Sequence, residues 1–196
     1  MPNSAVNRTS HLSKSVADLY SGSVLRLATL FYDDLAELGQ FEPVTPDELP
    51  DESRRLLAHN EHMTVTLEAA SGCPVTVQAL TEWRDEASYA RCSLLARQTD
   101  GTVLQFGIMR IWLADLPASV QNEITVERRP LGRVLVEHSF LREVELITLW
   151  RITPGPILQR HLSLPNGQPI YGRSAQILVD ERPTVQVLEI VAPVTK

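Results

Sequence analysis

Hydrophobic residues recur at threes and fours over the first part of the chain. Val16, Leu19, Val24, Leu25, Leu27, Leu30, Phe31, Leu35 and Leu38 predict helix from Ser15 to about Leu38, interrupted near Ser21-Gly22-Ser23. Residues 1–14 are polar and read as a flexible N-terminal segment, leaving 15–196 as a single domain. The segment FEPVTPDELP reads as a connector, because Pro43, Pro46 and Pro50 interrupt regular structure. Asp51 then starts a short helix through Leu57.

Past that point the pattern shifts from helical spacing to alternation. MTVTLEA, from Met63, is β-branched and alternating, and PVTVQALTEWR answers it across Ser71-Gly72, predicting a hairpin. SYARCSLLARQ and TVLQFGIMRIWL flank Asp100-Gly101 and predict a second hairpin. TVLQFGIMRIWL is apolar on both faces, so this part of the sheet is expected to be covered on both sides. Short helices are expected over 114–124 and from Pro130, since proline suits a first helical turn. VELITLWRI reads as a strand and PGPILQRHL as a helix or turn. QPIYGRSAQILVD and PTVQVLEIV close the chain as two strands joined at Asp180-Glu181-Arg182. Consecutive hairpins without βαβ alternation predict an α+β fold: a largely antiparallel sheet with helices packed against it.

Composition narrows the function classes. The 196 residues are 43% hydrophobic and 21% charged, with a formal net charge of −6, and suit one globular core. An acidic chain with no long basic run argues against nucleic acid and anionic membrane as partners. No apolar signal-peptide core or membrane-length stretch is present, and a cytoplasmic location is expected. Cys73 and Cys92 lie in apolar contexts outside any CxxC and read as free core thiols.

Three charged side chains stand out within apolar strands. In the last strand Val185, Val187, Glu189 and Val191 share one face. Glu189 is either a strand-end carboxylate twisted toward solvent or a carboxyl in an apolar pocket. In a pocket, loss of water favours the neutral acid and a role as proton donor or hydrogen-bonding group. Arg91 points away from the face of Ala90, Cys92, Leu94 and Ala96, alongside Tyr89, Ser93 and Leu95. It is either salt-bridged at the surface or a planar donor fork for a carboxylate. Arg110, inside FGIMRIWL, is either paired internally or binds a ligand. His59 and His62 form an HxxH without an evident third ligand, so no metal site is expected. No serine or cysteine sits in a nucleophile motif. Gly132 lies in Pro-Leu-Gly rather than in a phosphate loop, although RRPLGR places backbone N–H groups at a helix start, where an anion can sit.

In order, these segments resemble chorismate lyase, the family that removes pyruvate from chorismate to leave 4-hydroxybenzoate. The resemblance runs from about Leu56 to Pro193. HMTVTLE resembles the family's Ser-Met-Thr segment, whose ligand-touching methionine is here Met63. RCSLL resembles the Arg-x-x-Leu-Leu strand, whose arginine grips the substrate carboxylate, here Arg91. PLGR resembles the Pro-Leu-Gly motif; the leucine whose backbone lines the site is here Leu131, followed by Gly132. YGRSAQILVDERPTVQVLEIVAP resembles the closing hairpin, and the catalytic glutamate falls on Glu189. Each motif is only three to five residues long; their conjunction in order carries the likeness. Asp180-Glu181-Arg182 replaces a more glycine-rich turn, and Arg110 has no clear counterpart.

The resemblance implies a chorismate lyase-like fold around a buried pocket, with Arg91 and Glu189 as catalytic residues. Arg91, Leu131, Met63 and Gly132 would bind substrate, and Arg110 is added as a further candidate. The ligand would be a small aromatic or cyclic carboxylate such as chorismate or 4-hydroxybenzoate. The lyase reaction is redox-neutral and aromatising, so no cofactor or metal is expected. Two other readings stand beside the lyase. One is an enzyme of the same fold acting on a related substrate. The other is a non-catalytic aromatic-carboxylate binding domain, since the fold also resembles the effector-binding module of some bacterial transcription regulators.

Overall fold

A computed structural model describes residues 26–126, 129–138, 142–165 and 167–193. The expectation of a flexible segment over 1–14 lies outside the described residues. Seven strands form one sheet: β1 (Gly39–Val44), β2 (Val75–Arg84), β3 (Ser88–Arg97), β4 (Val103–Trp112), β5 (Arg142–Pro154), β6 (Ile170–Val179) and β7 (Arg182–Val191). Their spatial order is β1-β5-β6-β7-β4-β3-β2, and every neighbouring pair is antiparallel. Among the described residues they are accompanied by α1 (Asp51–Leu57), α2 (Met63–Ser71), α3 (Ala118–Thr125), α4 (Leu131–Glu137) and α5 (Pro156–His161). The fold is therefore α+β with a largely antiparallel sheet.

One expected hairpin is not a hairpin. Residues 63–71 form α2 rather than a strand, despite Val65 and the two threonines. Met63 and Leu67, one helical turn apart, are both buried, while Val65 faces solvent. Gly72, at φ 63°, ends the helix in the left-handed conformation that glycine adopts without cost. Burial of the Met63–Leu67 stripe overrides the local β preference.

The expected connector also contains a strand. Gly39–Val44 is β1, the sheet edge, where Pro43 lies opposite Trp150. An edge strand tolerates proline because its outer N–H has no ladder partner to serve. Nor does one helix continue to Leu38. Helix ends at residue 28, and a 3-10 turn over Leu35–Glu37 starts where the Asp34 carboxylate accepts the Ala36 N–H at 2.9 Å.

Both faces of the central strands are buried, as the apolar run of β4 predicted. One face packs Cys92, Leu94, Phe106, Ile108, Leu188 and Ile190 under the Leu27–Leu38 stretch and α5. The opposite face lies beneath α1 to α4 in two clusters, one around Val134, Ile124 and Ile177 and one around Leu57, Met63 and Leu149. The gap between those two clusters is where the charged residues gather. Among the described residues no helix is long and apolar enough to cross a membrane.

Candidate functional site

Strand register places the site. Across the helix-covered face, Ser93 lies opposite Gly107, Gly107 opposite Glu189, and Glu189 opposite Arg173. The adjacent row runs Arg91, Met109, Val187, Ala175. Gly107 contributes no side chain and Ser93 a small one, so the sheet has a dip between Arg91 and Glu189. The first turns of α2 and α4 roof it.

The resulting hollow measures about 60 Å³ and is lined by Met63, Arg91, Gln105, Gly107, Leu131, Gly132 and Glu189, among others. Five of the six residues singled out from sequence thus meet in one place. The two helix starts approach closely because Gly132 lacks a side chain. A Cβ there would come within 3.0 Å of Thr64 Oγ1 and 3.3 Å of the His62 Cβ. At both helix starts the first backbone N–H groups have no partner within the helix.

Arg91 is 2% exposed. Its guanidinium donates to the Ile124 carbonyl at 3.1 Å and to the Arg129 carbonyl at 3.4 Å. The first bond reaches the last turn of α3, where carbonyl groups lack helical donors and a positive charge is favoured. Arg91 is therefore held by backbone on one side while it lines the hollow on the other.

Glu189 is not the lone acid in an apolar row that its strand pattern suggests. Arg173, opposite it on β6, donates from Nε to its Oε2 at 2.8 Å. The pair is well buried, with side-chain exposures of 1% for Arg173 and 13% for Glu189. Glu189 is consequently an ion-paired group, suited to accept a hydrogen bond. Arg173 spends its remaining donors on the carbonyls of His59 at 2.8 Å and Glu61 at 2.9 Å. One buried arginine thus ties the sheet to the peptide that leads into α2.

His59 of the HxxH is absorbed by the same junction, whereas His62 lines the hollow. His59 Nε2 lies 2.7 Å from the Leu56 carbonyl, and its Nδ1 accepts the Glu61 N–H at 3.1 Å. Burial, together with the nearby Arg173 charge, holds the His59 pKa below its usual value. Among the described residues no group of three or more His, Cys, Asp or Glu is placed to hold a metal. Arg129 and Arg133 of the basic run near Pro130 are also paired. Arg129 bridges Glu123 and Glu137, and Arg133 bonds Glu68, which clasps α4 to α2. Cys73 and Cys92 are buried free thiols, and burial pushes the Cys92 thiol up to about 11.

Arg110 departs from the expectation of a ligand contact. It lies on the opposite face, with its guanidinium over the rings of Trp83 and Trp112 at 5.7 and 5.1 Å. Its Nε donates to Ser88 Oγ at 3.1 Å, and Asp85 lies 3.7 Å away. Internal pairing accounts for this charge, and its place by period two on the face of Phe106 and Ile108 was the available signal.

Sequence reasoning missed Arg173, Gln105 and Gly107. Arg173 sits within the Tyr-Gly-Arg of the closing hairpin, but its partner depends on a register set by a bulge. Gln105 carries no motif, and Gly107, the later glycine of the resemblance's DGTVLQFG stretch, carries no assigned role there.

No family model matches the chain, and no curated protein matches it. Among solved structures, the chain is similar to a GntR-family transcriptional regulator from Bacillus cereus, at 12% identity and TM-score 0.44, over 61% of this chain and 92% of that one. It is also similar to the C-terminal domain of the histidine utilization repressor from Pseudomonas syringae pv. tomato, at 11% identity and TM-score 0.44, over 62% of this chain and 96% of that one.

Proposed function

We propose that the hollow binds a small cyclic or aromatic carboxylic acid. The supporting observation is that Arg91 and Glu189, far apart in sequence, line one half-open cavity beneath two helix starts. Arg91 would grip the ligand carboxylate, assisted by backbone N–H groups near Met63 and Leu131. Apolar walls from Ile177, Val187 and Leu95 would take the ring. At about 60 Å³ the cavity is smaller than the roughly 300 Å³ of a typical small-molecule site, so a ring must widen it. Met63 and Met109 in its wall suit that adjustment, because a thioether chain repacks easily.

A second reading is the lyase itself, acting on chorismate. It is favoured by the meeting of Met63, Arg91, Leu131 and Glu189, the positions that the family resemblance assigns to the site. On this reading the Glu189 carboxylate accepts the ring proton as the ether bond to the enolpyruvyl group breaks. The ring becomes aromatic, and the released enolpyruvate takes up a proton to become pyruvate. One such base contributes about two to four orders of magnitude in rate.

Titration calorimetry with 4-hydroxybenzoate tests the binding reading. Wild-type protein is expected to bind, and Arg91→Lys, which keeps the charge but loses the fork, to bind at least about tenfold more weakly. No heat and no thermal protection from any ring carboxylate would sink it. Incubation with chorismate decides the second reading: pyruvate must appear, and Glu189→Gln must abolish it while ligand still binds.

A further inference from the structure

Gln105 is a buried polar side chain that the site as described leaves unused. It is 4% exposed, lines the hollow, and its Oε1 has no hydrogen-bond partner among the described residues. Buried polar atoms left in this state are uncommon and call for a physical reason. The side chain does not run off along the strand. Its Nε2 lies 3.2 Å from where a Cβ on Gly107 would be, so the amide folds back over Gly107. Gly107 in turn lies opposite Glu189. The amide and the Glu189 carboxylate therefore share the row next to that of Arg91, one pleat repeat or about 7 Å along the strands.

The hollow thus has two different polar ends. Arg91 offers donors only, which suits a carboxylate. At the other end, Glu189 accepts, and the Gln105 amide both donates and accepts. A carboxylate placed there would meet Glu189 with like charge, and an apolar substituent would leave Oε1 unsatisfied. A hydroxyl group meets both demands, donating to Glu189 or Oε1 and accepting from Nε2. This holds whichever way the amide is turned, since a hydroxyl is both donor and acceptor.

We infer that Gln105, seated over Gly107, is a specificity-determining residue that selects a ring acid bearing a hydroxyl group at the end away from its carboxylate. The inference rests on the carboxylate-binding reading and adds to it the residue that reads the hydroxyl group. Gly107 is part of the device. The residue is not in a left-handed conformation, so alanine is allowed by the backbone, but its methyl would press on the amide.

The test compares 4-hydroxybenzoate with benzoate and 4-methylbenzoate by titration calorimetry, using wild-type protein, Gln105→Met and Gly107→Ala. Wild type is expected to prefer the hydroxylated acid by about tenfold to a hundredfold, the usual effect of stranding a buried polar group. Gln105→Met should bring the three acids within about threefold, and Gly107→Ala should reduce the preference in a protein that keeps the amide. Circular dichroism verifies that both variants fold, and Gly107→Ala carries the test should Gln105→Met not fold. Equal binding of the three acids to wild type overturns the role of Gln105 and leaves the carboxylate site standing. An undiminished preference in both variants also overturns it, and assigns the selection to Glu189 alone. Binding of none of the acids removes the carboxylate reading and this inference with it.

Discussion

The strands that build the hollow carry, one residue along, a fully buried apolar face. On β4, Phe106 and Ile108 are at most 1% exposed and meet Leu188, Ile190 and Leu94 with no charge among them. Gln105, Gly107 and Met109 alternate with them and face Arg91, Ser93 and Glu189 instead. The two faces are stabilised differently. The apolar face gains from area removed from water and from dispersion contacts. The helix-covered face holds buried charges that survive only because each is paired or hydrogen-bonded. The first face is a platform, and the second accepts a void and costly groups in return for a shaped cavity.

The contrast predicts different responses to substitution. Arg173→Met should cost about 3–5 kcal/mol in urea unfolding, because it strands the buried Glu189 carboxylate and the loop carbonyls. Adding Glu189→Leu should recover most of that loss, since an apolar pair can replace a buried ion pair. On the platform, Phe106→Ala should cost a similar 3–5 kcal/mol through transfer and cavity terms, with no second substitution on the other face able to rescue it. A double variant as unstable as Arg173→Met alone would show that the loop anchor, and not the ion pair, is what matters.

Each face also holds one histidine whose charging is opposed. His59 lies against Arg173, and His161 packs 6.1 Å from the Phe106 ring across the sheet. Burial is the main cause that keeps both below the usual histidine value, with a neighbouring arginine adding to it in each case. The unfolded chain therefore takes up these protons first as pH falls. Stability should be level above about pH 6.5 and decline below it, toward the lowered folded-state values. Unfolding midpoints measured from pH 8 to 5 should show this, with His59→Asn and His161→Asn each flattening the curve. An unchanged slope in the double variant would place the proton uptake elsewhere.

The smallest expected effect concerns the turn that joins the last two strands. Asp180 and Glu181 have φ of 49° and 65°, the left-handed region that both central residues of a type I′ turn occupy. Replacing Asp180-Glu181 with Asn-Gly should raise stability by about 1 kcal/mol, read as a higher thermal midpoint with ligand binding unchanged.

That turn also explains what the sequence concealed. A two-residue turn at Asp180-Glu181, continued without interruption, would set Arg173 opposite Leu188. A bulge between Ile177 and Leu178 shifts the ladder by one and brings Arg173 opposite Glu189 instead. Period two was enough to put Arg91, Glu189 and their neighbours on the correct faces, and turn chemistry was enough to make neighbours of β3 and β4 and of β6 and β7. It could not give the pairing, because a one-residue slip leaves no mark on composition. The same limit hid the site's other two parts. Gly107 matters through a side chain it lacks, and Gln105 through a fold-back that only coordinates show. For 63–71 the misleading signal was β-branching, where the decisive fact was a buried Met63–Leu67 pair.

The reach of Arg173 has a mechanical consequence. A single guanidinium pins the floor of the cavity, at Glu189, to the peptide that introduces its roof, at His59 and Glu61. Any guest that draws on the Glu189 carboxylate competes with that pin. On the proposed reading, whatever fills the cavity bears through one side chain on the peptide between α1 and α2.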